Sequence, residues 1–127
     1  ISPTTKKLIG EFVEAYPNVK WVQADTLPMS AMRKANETNF GTAVIPSYHF
    51  ENAEVMVGFN ADFLGTWLMP VTFSKQFAKT RKLKEGQKKM SRLYQFETNM
   101  SLTGSNADYR YQIKPSEETA VLLNLYN

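Results

Sequence analysis

The sequence contains no cysteine and only one histidine, His49. Without cysteine the chain has no disulfide, no cysteine-ligated iron–sulfur cluster and no thiolate for a structural zinc site. One histidine does not build a metal site alone, so we expect no metal ligands here. Glycine-rich phosphate loops, nucleophile elbows and metalloprotease patterns are also missing. The sequence therefore predicts no catalytic residue.

Long apolar runs are absent too. No stretch approaches the roughly 20 apolar residues that a membrane-spanning helix needs. The sequence has no initiator methionine, basic leader or apolar signal core, and it stops at Asn127 inside a helical pattern. We therefore expect a fragment of a longer protein. Its 127 residues, 43% of them hydrophobic, predict one domain spanning residues 1–127.

Positive charge is concentrated in one segment. The net charge is +3, and eight of the fifteen Lys and Arg residues lie in residues 75–92. Nucleic acid, anionic lipid or an acidic partner subunit would each suit such a segment. Only Phe77 interleaves with the charges, whereas single-strand binders usually offer several stacking aromatics. The favoured interpretation is a solvated helix end and loop that contacts a partner subunit and no nucleic acid.

Hydrophobic periodicity predicts an α/β fold. Helical spacing covers residues 3–16, the segment after Asp25, residues 63–79 with a break at Pro70, and the stretch after Ser116. Short β-branched, aromatic or alternating runs predict four strands, and residues 36–52 predict a long surface connection. The predicted strands are residues 19–24, 53–59, 89–97 and 109–113. Strands separated by helices imply a three-layer Rossmann-like open sheet, mainly parallel, with helices on both faces.

The ends of two predicted strands carry candidate binding residues. Asn60, Ala61 and Asp62 follow one strand and open a helix, where free N–H groups favour a phosphate, although a carboxylate there also serves as a helix cap. Glu97 ends another strand and precedes Asn99, where α/β nucleotide binders place a ribose-reading acid. A loop cap is the alternative. A paired acid and base is a third option for the two carboxylates, and the sequence does not fix their separation.

Three segments carry a family resemblance. They are AEVMVGFNADFLGTWLMPV at residues 53–71, MSLTGSNAD at residues 100–108 and IKPSEE at residues 113–118. Their order and spacing resemble the molybdopterin oxidoreductase superfamily of the dimethyl sulfoxide reductase type. Over nearly the whole chain the sequence is more similar to the iron–sulfur B subunit of alternative complex III, the quinol:cytochrome c oxidoreductase, with ADFLGTW and MSLTGSNADYR as the most specific phrases.

The resemblance implies a non-catalytic, molybdopterin-like domain of a respiratory electron-transfer subunit. The parent would face the periplasm of the bacterial inner membrane, with a multihaem cytochrome and integral membrane quinol-binding subunits as partners. It would carry iron–sulfur clusters outside this sequence, which itself would hold no cofactor. No residue matches the molybdenum ligand of cofactor-bearing relatives.

The same resemblance implies a vestigial dinucleotide groove. Asn60 to Asp62 match the phosphate-side loop, Glu97 the acid after the next strand, and Glu118 the carboxylate that reads a guanine edge. Ser116 replaces a glycine usual in those relatives, and a side chain at that tight turn would close the groove. Because the three loops contain several carboxylates and no Lys or Arg to offset them, we expect a clustered, empty and acidic groove.

Two other functions stay open at the level of sequence. One is an active molybdopterin oxidoreductase, of which this chain clasps the molybdopterin guanine dinucleotide. The other is a plain nucleotide- or nucleic-acid-binding module.

Overall fold

A computed structural model describes residues 1–83, 85–86 and 89–127. The chain divides into two compact units, Ile1–Pro46 and Ser47–Asn127. Lys84, Gln87 and Lys88, which belong to the predicted basic segment, lie outside the described residues. Within the described part of the chain, no helix is both long and apolar enough to cross a membrane.

The first unit contains two helices, α1 (Pro3–Ala15) and α2 (Ser30–Phe40). The hydroxyl of Ser2 accepts a hydrogen bond from the backbone N–H of Thr5, and Pro3 occupies the first turn, so α1 begins where the sequence predicts. The second helix is shifted from its prediction: it begins at Ser30, without the cap predicted after Asp25, and continues to Phe40, so residues 36–40 of the predicted surface connection are helical. It ends at Gly41, whose φ of 72° is the left-handed conformation that glycine adopts without strain. Every residue of this unit is described, and none is buried.

The predicted strand at residues 19–24 is wrong. These residues form no regular structure and are all exposed. Their β-branched and aromatic side chains favour an extended backbone, but a strand exists only where a neighbouring strand completes its hydrogen bonds. Trp21 and Val22, with Leu8 and Phe12 of α1, instead line an apolar groove of about 620 Å³.

The second unit contains the sheet. Its elements are a 3₁₀ helix at Phe50–Asn52, β1 (Val55–Phe59), α3 (Pro70–Arg81), β2 (Arg92–Glu97), α4 (Leu102–Ser105), β3 (Tyr109–Gln112), a 3₁₀ turn at Pro115–Glu117 and α5 (Glu118–Tyr126). The three strands are all parallel and lie in the order β1-β2-β3. This open parallel sheet confirms the predicted α/β class. The predicted helix at residues 63–79 begins only at Pro70, because proline suits the first turn of a helix and breaks its interior.

One face of the sheet carries the core. Met56 of β1 and Leu93 of β2 are buried against Phe73 and Phe77 of α3 and against Phe63. Tyr48, Phe50 and Trp67 pack around this cluster, and the rings of Phe50 and Phe73 meet edge to face at 4.9 Å. Burying one such phenylalanine contributes about 2 to 3 kcal/mol. Trp67 is thus a packing residue.

The opposite face carries a ladder of aromatic rings. Phe59, Phe96 and Tyr111 stack across the three strands with centroid separations of 5.0 and 4.9 Å, and Tyr94 stacks on Tyr109 at 4.8 Å. These separations equal the spacing between strands, so the rings stand upright on the sheet and touch face to face. They present their edges outward, which leaves few ring faces for an added base to stack on.

Candidate functional site

The carboxyl ends of the three parallel strands meet at one edge of the sheet, where open α/β folds place ligands. Asn60 ties the loops of this edge together. Its Oδ1 accepts a hydrogen bond from the backbone N–H of Thr98 at 3.0 Å, and its Nδ2 donates to Glu118 Oε2 at 3.0 Å. Asn60 has a φ of 48°, a left-handed conformation that asparagine tolerates better than most side chains. The structure therefore brings Asn60, Glu118 and the loop that follows β2 together.

Asp62 is a structural link between two loops. Its Oδ1 accepts hydrogen bonds from both the backbone N–H and the hydroxyl of Thr103, each at 2.9 Å, and its Oδ2 accepts one from the Thr66 hydroxyl at 3.1 Å. Burial by itself would raise the pKa of Asp62, but the hydrogen bonds from Thr103 and Thr66 outweigh it and lower that pKa. The carboxylate is held charged by donors from its own chain.

Thr103 completes this link from the other side. Its hydroxyl donates to Asp62 and accepts a hydrogen bond from the backbone N–H of Leu64 at 2.9 Å, and the residue is completely buried. Gly65 packs so closely that a Cβ there would lie 2.3 Å from Asp62 Oδ2. Hydrogen bonds therefore hold the loop after β1 against α4, and this loop leaves no open phosphate-binding site around Asp62.

Glu97 is buried and paired. Only 2% of its surface is exposed. Its Oε1 accepts a hydrogen bond from Arg110 Nε at 2.5 Å and another from the Ser101 backbone N–H at 3.1 Å. Its Oε2 accepts a hydrogen bond from the Ser101 hydroxyl at 2.5 Å. Burial would raise the pKa of Glu97, but the Ser101 hydroxyl and the Arg110 guanidinium lower it overall. A Cβ at Gly104 would lie 1.9 Å from Glu97 Oε1, so the backbone closes over this carboxylate.

The expectation of an uncompensated acidic groove is wrong at Glu97. The compensating cation, Arg110, lies outside the three loops, in β3 at the register position of Gln95. Side chains at Gln95, Glu97 and Arg110 share the buried face of the sheet, because residues two apart in a strand point the same way. Strand register is a tertiary property, so the loop sequences do not reveal this partner.

The other residues predicted for this site are less buried than Glu97. Asn99 and Ser116 are exposed, and Ala61 is half-buried. Ser116 lies in the 3₁₀ turn, where Glu117 Oε2 accepts a hydrogen bond from the Lys114 backbone N–H at 2.9 Å.

His49, the single histidine of the chain, is 64% exposed, and its Nδ1 lies 3.6 Å from Glu51 Oε1. Among the residues that the structure describes, no group of three or more acidic or histidine side chains is arranged to hold a metal ion.

A second polar centre lies at the amino ends of the strands, and the sequence pattern did not single it out. Arg81 forms a two-point ion pair with Asp108, with Nη1–Oδ2 at 2.5 Å and Nη2–Oδ1 at 2.9 Å, and Nη1 also donates to the Ser91 carbonyl at 2.6 Å. Asp108 Oδ2 accepts the Leu93 backbone N–H at 2.8 Å. The Arg81 side chain, assisted by the Leu93 amide, lowers the pKa of Asp108. Arg81 therefore fastens the end of α3 to the sheet.

The basic segment is thus only partly solvated. Lys75, Lys79 and Lys82 are exposed, as the interpretation of a helix end and loop requires, but Arg81 is half-buried and structural. Next to it a surface cavity of about 630 Å³ is lined by Arg92 and Tyr109, among others. Arg81 in the last turn of α3 and Asp108 directly before β3 are 27 residues apart in the chain, so no local sequence pattern indicates that they pair.

No protein-family model matches this sequence, and a search of curated proteins finds no significant match.

Proposed function

We propose that this chain is a non-catalytic structural domain of an iron–sulfur subunit in a membrane-associated respiratory complex of the quinol:cytochrome c oxidoreductase type. The parent complex faces the periplasm and contains a multihaem cytochrome and integral membrane quinol-binding subunits. Its iron–sulfur clusters belong to other parts of the parent, since this sequence contains no cysteine. The proposal starts from the family resemblance of residues 53–71, 100–108 and 113–118.

One observation supports the non-catalytic role above all. The two carboxylates at the ligand-binding edge, Asp62 and Glu97, are both occupied by donors from their own chain. A general base needs a carboxylate within reach of a substrate proton, and a buried acid in an ion pair is held in its charged form. These residues stabilise the loops and leave no free acid–base pair.

The same edge is a poor fit for a guanine dinucleotide. Glu118, the residue matched to guanine reading, shares a hydrogen bond with Asn60, and both polar atoms of the Asn60 amide have partners. A dinucleotide that bound through these same atoms would have to break these bonds, and the energy of breaking each would offset part of its binding energy. This argues for a structural domain over the cofactor-clasping alternative.

Purification from native membranes tests the assignment. We would tag the parent protein chromosomally in its own host, solubilise the membranes in mild detergent and isolate the tagged complex. The expected preparation contains c-type haem and iron, lacks stoichiometric molybdenum, and reduces cytochrome c with a quinol. Stoichiometric molybdenum would favour the active molybdopterin enzyme, and a preparation without haem or iron would contradict the respiratory assignment.

Guanine nucleotides provide a separate test on this chain. In a titration of the isotope-labelled protein with GDP and GTP, we expect no saturable amide shifts at Asn60, Glu97 or Glu118 below about 10 μM, which corresponds to roughly −7 kcal/mol. ATP serves as the control nucleotide. Saturable and guanine-specific binding would show that the edge still holds a nucleotide and would contradict the structural role.

A further inference from the structure

The exposed side of α3 carries a stripe of lysines. Lys75 and Lys79 of the helix and Lys82 directly after it follow one another at spacings of four and three residues. This spacing places them on one side of the helix, away from the buried Phe73 and Phe77. Helix α3 contains no acidic residue, and in the part of the chain that the structure describes no carboxylate lies within ion-pair distance of these lysines. We call this surface the lysine stripe.

Two large apolar side chains are exposed at the end of the lysine stripe. Leu83 is 58% exposed and Met90 is 50% exposed. Both lie within three residues of a junction that holds the end of α3 against the start of β2. At this junction the Ser91 backbone N–H donates to the Thr80 carbonyl at 3.1 Å, and the hydroxyl oxygens of the same two residues lie 2.8 Å apart. Basic and apolar side chains therefore occur together at one end of the helix.

The carboxylates near this end of α3 do not neutralise the lysine stripe. Asp108 is already paired with Arg81. Glu54 and Glu85 are exposed, and Arg92, which is also exposed, adds a further positive charge beside Met90. Because the lysines and Arg92 outnumber the two exposed acids, this end of the helix attracts anions.

Three kinds of anionic partner suit such a surface: nucleic acid, an acidic protein and anionic lipid. Nucleic-acid binders place accessible aromatic rings among their basic residues, but Phe77 is buried in the core. Protein interfaces are depleted in lysine and enriched in arginine, and Arg81 is already engaged by Asp108. Lysine is a flexible and strongly hydrated point charge, which suits the diffuse negative layer of lipid headgroups. Apolar side chains beside the lysines also suit a membrane surface.

We infer that the lysine stripe binds the surface of an anionic lipid membrane, and that Leu83 and Met90 enter the boundary between headgroups and acyl chains. Each lysine held near an anionic surface strengthens binding about fivefold. The two apolar side chains add a contribution that does not depend on charge. The inference goes beyond the proposed function and does not depend on it, because it concerns this chain alone.

Co-sedimentation of the purified chain with vesicles tests the inference. The probes are large unilamellar vesicles of phosphatidylcholine with about 30% phosphatidylglycerol, and vesicles of phosphatidylcholine alone. In about 0.1 M salt we expect saturable binding to the anionic vesicles and at least about tenfold weaker binding to the neutral ones. Raising the salt to about 0.5 M should weaken binding at least about tenfold, because the ions screen the attraction.

A matched pair of triple variants separates the lysine stripe from net charge. The first variant combines Lys75→Gln, Lys79→Gln and Lys82→Gln, and it should bind anionic vesicles at least about thirtyfold more weakly. The control removes the same number of charges from exposed lysines of the first unit, and it should change binding by less than about threefold. It combines Lys6→Gln, Lys7→Gln and Lys20→Gln. Circular dichroism verifies that both variants are folded.

A double variant tests the apolar contribution at unchanged net charge. Leu83→Ser combined with Met90→Ser removes two apolar side chains and no charge. We expect it to bind anionic vesicles at least about fivefold more weakly, because the apolar area that enters the membrane is lost.

Four results would overturn the inference. Absence of vesicle binding would show that the surface has no affinity for lipid. Equal losses in the two triple variants would show that net charge alone attracts the vesicles. Unchanged binding of the double variant would show that the apolar residues do not enter the membrane. Tighter binding to a DNA duplex or to polyglutamate than to anionic vesicles in the same salt would assign the lysine stripe to nucleic acid or to an acidic protein.

Discussion

The side-chain amide of Gln95 lies directly over Gly58, its register partner in the β1–β2 pair. A Cβ at Gly58 would stand 2.1 Å from Gln95 Oε1. Gln95 is completely buried, and its Nε2 points to the Ala61 carbonyl at 3.5 Å. The absence of a side chain at Gly58 therefore lets a buried polar side chain reach from β2 towards the loop that follows β1.

Adding a methyl group at Gly58 should disturb this arrangement. We expect Gly58→Ala to lower the free energy of unfolding by about 1 to 3 kcal/mol, because the Gln95 amide has to move in a packed interior. The double variant Gly58→Ala with Gln95→Ala should lose less than the sum of the two single variants. Urea unfolding followed by circular dichroism measures all three. Strictly additive losses would show that the two residues do not interact.

Removing the charge of Glu97 should leave Arg110 without its partner. We expect Glu97→Gln to cost about 1 to 3 kcal/mol of unfolding free energy, since Arg110 is 26% exposed and water partly compensates for the loss. The control is Glu117→Gln, whose pairing with Lys114 is exposed and 4.0 Å long, and which should change stability by less than about 0.5 kcal/mol. Similar effects of both variants would contradict the buried ion pair.

The contribution of Thr103 to stability should come from its hydroxyl group and much less from its shape. Valine has the same outline but can neither donate to Asp62 nor accept from Leu64. We expect Thr103→Val to cost about 1 to 3 kcal/mol, because it leaves buried polar groups without partners, and Thr103→Ser to retain most of the stability. Thermal and urea unfolding of the two variants provide the comparison. A serine variant as unstable as the valine variant would mean that packing of the methyl group dominates.

Stability should fall in acid. The folded pKa values of Asp62, Glu97 and Asp108 are lowered, so each carboxylate contributes stability that is fully present above the ordinary carboxyl range near pH 4. As the pH falls below that range the unfolded chain takes up protons first, and the contribution is lost on the way down to the lowered pKa. Urea unfolding between about pH 7 and pH 2 should show this decline.

The variant Glu97→Gln provides the check on that pH dependence. Without one of the three carboxylates its stability should decline less steeply in acid than that of the unchanged protein. An identical decline in both proteins would mean that Glu97 does not titrate differently in the folded and unfolded chains.

The sequence by itself determined much of the local structure. The Ser-Pro start of α1 and the apolar or alternating runs that became β1, β2 and β3 each follow from short-range rules, and residue composition alone excludes cysteine-based centres. Strand order along the chain, with helices between, also indicates a parallel sheet, because parallel neighbours need a crossover connection. These features depend on residues close together in the chain.

Only the tertiary structure decided which side chains pair with each other across the fold. The link from Asp62 to Thr103 spans 41 residues, that from Arg81 to Asp108 spans 27, and the Arg110–Glu97 pair depends on the register of β3 against β2. A shift of one residue in that register would turn Arg110 to the opposite face of the sheet. Residues 19–24 form no strand for the same reason. Their propensity favours an extended backbone, but a strand also needs hydrogen bonds to a neighbouring strand, and the tertiary fold determines whether a neighbour is present.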